Sequence, residues 1–162
     1  MMDKDAGEPF YTFKQIHEDF YKRLKTDERL TSEYRIETWG EGIFDFARLP
    51  PHGIHGRYQR VRVSPIEEST GFYTYRIEVI VWVLINGQSP ETEYELSELY
   101  LSRIMQIFTE KPDDWSLDGI VHTVNFDGSD YKQDWYQGKS ATLCSAAFSI
   151  YADIERMHTL SS

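Results

Sequence analysis

The sequence predicts an α+β fold: an antiparallel or mixed β-sheet with a long hairpin, and two α-helices packed on one face. Three observations predict it. "FYTYRIEVIVWVLI" (72–85) alternates at strand period, with Tyr73, Tyr75, Ile77, Val79, Val81, Val83 and Ile85 in one apolar row. "SPETEYELSELYLSRIMQIFTEKP" (89–112) repeats apolar residues at helical spacing between a capping serine and a proline stop. A shorter helical stripe precedes them, and two strand-like segments follow.

Taken in order, residues 1–9 read as a flexible tail, 10–154 as a single domain and 155–162 as a C-terminal tail. A helix is expected from Phe13 to about Lys25. Thr12 and Gln15 have capping-box spacing, and Phe13, Ile16, Phe20 and Leu24 form its stripe. "YRIETW" (34–39) reads as a strand. "GEGIFDFARLPPHGIHGRYQR" (40–60) reads as a long loop or irregular hairpin with a short strand at "IFDFARL", and excursions of this length are often functional. In "RYQRVRV" (57–63) Val61 and Val63 share one expected strand face and Arg60 and Arg62 the other. "SPIEESTG" turns the chain into the strand at 72–85, making an antiparallel hairpin. That strand's second face begins polar, at Thr74, Arg76 and Glu78, and turns apolar at Ile80, Trp82 and Leu84.

In the long helix Ser89 is the expected N-cap and Pro90 the first helical residue, with Glu91 and Glu93 at the positive end of the dipole. Leu96, Leu99, Tyr100, Arg103, Ile104, Ile107 and Phe108 mark its apolar face, and Leu101 and Met105 widen it. "GIVHTVNF" (119–126) and "ATLCSAAFSIYADI" (141–154) read as strands joined by an acidic loop, "DGSDYKQDWYQGKS". Cys144, Ala146, Phe148, Ile150 and Ala152 line one face of the last strand, and Ser145, Ala147 and Ser149 the other.

The chain has 162 residues, 40% hydrophobic and 27% charged, as expected of a globular domain. Its net charge of −10 argues against a surface made chiefly to grip nucleic acid, which needs clustered Lys and Arg. No apolar run reaches bilayer length, the first ten residues have no signal-peptide core, and one cysteine makes no internal disulfide. Cytoplasmic folding is the expectation.

Chemical signatures are sparse. His52 and His55 sit three apart on a Gly/Pro loop, without the helical geometry and third ligand of a zinc motif. Asp127, Asp130 and Asp134 are spaced in one segment but lack the EF-hand order, so a solvated acidic loop is favoured over a cation site. Cys144 lies on an apolar strand row, an unsuitable place for a nucleophile. Arg57, Arg60 and Arg62 read as the wet side of a strand, and Trp135 and Tyr136 as recognition aromatics or as rings folded back on the sheet. No catalytic residue, metal site or cofactor is expected.

From Glu95 onward, "ELSELYLSRIMQIF" followed by "LDGIVHTVNFDGSDYKQDWYQGKSATLCSAAFSIYADI" resembles the tail-terminator proteins of long-tailed bacteriophages. By order of elements the resemblance extends over residues 12–154. It implies a structural virion protein: a ring of six copies that caps the tail tube, ends tube polymerisation and faces the head or neck. The partners implied are further copies of the chain, the tail tube protein, a head–tail connector or neck protein, and a sheath protein. DNA would pass through the channel without specific binding, and no membrane is involved. Ile80, Trp82, Leu84, Arg103, Trp135 and Tyr136 are then candidates for subunit or partner contacts. Asp127, Asp130 and Asp134 are candidates for an acidic loop facing the channel or a partner. The 40–60 excursion and the N-terminal tail are longer than the family minimum.

Three alternatives stand beside that reading. One is a head-side neck or connector protein of the same fold. Another is a small metal-dependent hydrolase using His52, His55 and the aspartates, and the third is an acidic cytoplasmic adaptor.

Overall fold

The fold is α+β: a five-stranded mixed sheet with helices on one face, seen in a computed structural model that describes residues 11–45, 47–50, 52–69, 72–136 and 138–155, side chains at 67–69, 72, 73, 136 and 155 excepted. The expected tail at 1–9 lies outside the described residues, as does that at 155–162 except Glu155, which is the last residue of a strand. Helix α1 spans Phe13–Lys25 as its cap predicts: Gln15 N donates to Thr12 Oγ1, and Thr12 N donates to Gln15 Oε1. A π-helical turn at Arg29–Glu33 follows, then β1 (Thr38–Glu41). The strand expected at 34–39 is therefore real only at its end. Residues 34–37 instead carry the chain out of that turn, and Tyr34 N donates to Arg29 O.

Strands β2 (Gly53–Ser69) and β3 (Phe72–Asn86) form the hairpin. It is longer than the turn signals suggest: "SPIEES" is strand and the reversal falls after it, while "IFDFARL" holds no strand among its described residues. A register shift places Arg60 opposite Val79 but Arg62 opposite Glu78. The bulge thus separates two arginines expected on one face, because an inserted residue reverses the alternation after it.

Helix α2 (Pro90–Thr109) is capped by Ser89, with Thr92 N donating to its Oγ. A single-turn helix α3 (Pro112–Trp115) then leads to β4 (Thr123–Tyr136) and β5 (Lys139–Glu155). Pro112 thus opens α3, after α2 has already ended. The sheet order is β1-β2-β3-β5-β4, with β1–β2 parallel and every other pair antiparallel.

Both long helices cover the same sheet face. Phe20 of α1 stacks on Phe108 of α2, ring centroids 3.8 Å apart, and meets Phe148 of β5 edge-on at 5.6 Å. The alternate row of β3 supplies the floor: Ile77, Val79, Val81, Val83 and Ile85 are buried, with Cys144, Ala146, Phe148, Ile150 and Ala152 beside them. Gly56 of β2 is required where it stands, because a Cβ there would lie 2.6 Å from the Trp39 ring. No helix among the described residues is long and apolar enough to cross a membrane.

Candidate interaction surface

The sheet's other face carries no helix among the described residues, and its two ends differ. At one end Phe44 and Leu49, from the chain between β1 and β2, lie over it. Phe44 is buried against Leu84 and Ala141, with Leu49, Trp82 and Leu143 around them. The loop is held by Asn86 Nδ2, which donates to Pro50 O at 2.6 Å, and by the Arg57 guanidinium over the Phe44 ring. Leu84, at 1% exposure, is therefore covered within its own chain, and much of the long excursion has an intramolecular task.

Ile80 and Trp82 lie next along β3 and stay half-buried, and Trp82 Nε1 donates to Gln59 Oε1 at 2.8 Å. Beyond them the face turns polar. Arg76 Nε donates to Ser149 Oγ, whose hydroxyl donates in turn to Asp127. Thr74 donates to Asp153, which also pairs with His122 at 2.9 Å.

The acidic segment is not a loop. β4 runs through it to Tyr136, which pairs directly with Lys139 of β5. Asp127 sits at the register shift between Phe126 and Gly128, and Gly128 takes φ 140°, a backbone open to glycine. Asp130 and Asp134 oppose Ser145 and Ala141 and stand exposed on the helix-free side. Turn-forming composition hides this strand in the sequence, because an edge strand wet on its helix-free face needs no strict apolar alternation.

The recognition candidates divide. Trp135 is 68% exposed beside a cavity of about 90 Å³ lined also by Leu49, Leu84 and Leu143. Tyr136 is in β4, but its side chain lies outside the described residues. Arg103 has a partner within its own chain: Nε and Nη2 grip Asp27 at 3.0 and 2.5 Å, tying α2 to the end of α1. The sequence gives no hint of the Tyr131 and Tyr94 rings, 5.6 Å apart on the β4 side of α2. Burial and then a hydrogen bond to Glu98 push the Tyr131 hydroxyl up to about 12.

Nor does patterning show that α2 buries Glu93 and Ser97 while Leu99 is 40% exposed. Glu93 is fully buried; its carboxyl accepts from Gln88 N, Ser140 Oγ and Thr142 Oγ1 at 3.0, 2.7 and 3.1 Å. One carboxyl so joins the start of α2 to the start of β5.

The histidine pair has no ligand geometry. His55 is buried, with Nδ1 2.8 Å from Thr38 Oγ1 and Nε2 3.0 Å from His52 O, so both nitrogens have protein partners. Among the described residues no three His, Cys, Asp or Glu side chains are grouped to hold a metal. Cys144 is buried with its thiol raised to about 12 by that burial. No family model matches the chain, and no curated protein matches it.

Proposed function

We propose that the chain is a structural assembly protein that caps the tail tube of a long-tailed bacteriophage as a ring of six copies. One ring face repeats the contacts of a tube subunit, and the other lacks them, so growth stops and a surface for the neck remains. The observation that carries this reading is the helix-free sheet face, where Ile80 and Trp82 stay half-buried beside exposed Trp135, Asp130 and Asp134. Half-buried aromatics with a charged surround are the composition of protein contacts. The resemblance of residues 95–154 to tail terminators supplies the identity of the partners. Aspartates on a channel wall would repel passing DNA.

The experiment adds the purified chain to polymerising tube protein of the same phage and measures tube length by electron microscopy. Short tubes bearing a terminal ring are expected. Tubes of unchanged length, with the chain bound instead to an isolated neck, would transfer it to the head-side connector of the same fold. Unchanged tubes with no binding to either would overturn the reading.

A further inference from the structure

We propose that copies of this chain join head to tail through their sheet edges, the outer edge of β4 in one copy pairing antiparallel with the free edge of β2 in the next. The proposal deepens the ring reading and rests on it only for the number of copies. Among the described residues no strand pairs with the outer side of β4, or with β2 beyond Tyr58, where the short β1 ends. Such rows of unpaired N–H and C=O groups are templates for another strand.

Direction, charge and apolar area all select the same contact. β2 and β5 run one way, and β3 and β4 the other. Rotation about an axis along the strands preserves those directions, so β4 meets the next β2 antiparallel. Beyond Tyr58 the free stretch of β2 carries Arg60, already paired with Glu41 at 3.1 Å, and Arg62, with Glu67 and Glu68 only at its hairpin end. β4 carries Asp127, Asp130 and Asp134 against the single cation Lys132.

Asp130 and Asp134 are exposed on the helix-free side, and so is Arg62, which opposes Glu78. A continuous sheet would therefore bring opposite charges onto one face, where cross-strand neighbours interact. Pairing β4 with another β4 would set aspartates against aspartates. Of the nine exposed large hydrophobics among the described residues, five (Val61, Val63, Ile66, Tyr131 and Trp135) stand on these two strands. The bulges, Pro65 and Lys132 are the features that keep an edge from accepting strands indiscriminately. The surface thus fits a second copy of this chain: each copy offers Asp130 and Asp134 on one edge and Arg62 on the other, and a heterologous contact of that kind makes a ring when its rotation closes.

The test reverses each edge in the full chain: Asp130→Lys with Asp134→Lys in one variant, Arg62→Glu in the other. All three side chains are exposed. Sedimentation then measures the native chain, each variant alone, and their equal mixture. Each variant alone is expected to associate at least about tenfold more weakly than the native chain. The mixture is expected to recover assemblies larger than a dimer, because every β4 then faces a β2 of opposite charge, and recovery also shows that both variants fold. A mixture that stops at dimers would overturn head-to-tail pairing in favour of like strands meeting. A native ring that neither reversal weakens would overturn the edge assignment while leaving the ring reading intact. A native chain that stays monomeric at every concentration overturns self-pairing, and the tube-length experiment still decides the capping reading.

Discussion

His17 makes the fold acid-labile in a way that can be isolated. The imidazole is 4% exposed, beneath the sheet-facing side of α1, with Nδ1 2.6 Å from the Tyr58 hydroxyl. Burial lowers its pKa from 6.5 to about 4, the nearby Arg60 guanidinium adds to that, and Glu41 opposes it. Tyr58 is shifted far upward by its own burial, so its hydroxyl keeps its proton and the neutral ring can accept it. In the unfolded chain His17 takes a proton near pH 6.5, and in the folded chain only near pH 4. Between those values the unfolded state holds more protons, so stability is full above about pH 6.5 and falls as pH falls. The complete difference between these two values corresponds to about 3 kcal/mol, of which about 2 kcal/mol is lost between pH 7 and pH 5. Carboxylates titrate in the same range, so urea unfolding of the native chain should be compared with His17→Gln at several pH values. The stability gap between the two should shrink by about 2 kcal/mol from pH 7 to pH 5. Parallel curves would refute the claim that a buried neutral imidazole sets this slope.

Three further outcomes are expected. Glu93→Ala strands three buried or half-buried donors, at Gln88, Ser140 and Thr142, and should destabilise by about 3 kcal/mol, with Glu93→Gln milder; equal losses in urea melts would contradict a role in hydrogen bonding. Phe20→Ala removes the ring shared by Phe108, Tyr58 and Phe148 and should cost about 3–5 kcal/mol, read as a lowered denaturation midpoint; a loss under about 1 kcal/mol would mean that the two helices do not share a core there. Cys144, buried with its thiol held up to about 12, should react with a thiol reagent at neutral pH only as fast as the chain unfolds, and rapid labelling of native protein would disprove that burial.

What was legible in the sequence is what local chemistry decides. The Thr12–Gln15 box and the Ser89 cap mark helix starts because backbone donors there need side-chain acceptors within three residues. β3 is legible because both faces of its second half are covered, one by helices and the other by Phe44 and its neighbours. The misreadings occur where a distant partner decides. β4 looks like a loop until β5 pairs with it, since an exposed edge strand tolerates Asp, Gly and Ser. The buried side of α2 includes Glu93 because Ser140 and Thr142, nearly 50 residues away, satisfy it. The Asp27 partner of Arg103 lies 76 residues away, so local patterning does not show that pair. The bulge that parts Arg60 from Arg62 depends on the register with β3, which alternation alone does not contain.

Strand order also imposes a schedule. β5 follows β4 in the chain yet lies between β3 and β4 in the sheet, so β4 has no strand partner until β5 inserts. During synthesis, then, β3 waits with one side open while α2 and β4 emerge. The acidic edge gains its fixed position only after the β5 segment has left the ribosome. Shortening the β5 segment should therefore do more than fray a terminus: it would leave β4 without a place, and an incomplete subunit could not be mistaken for a finished one.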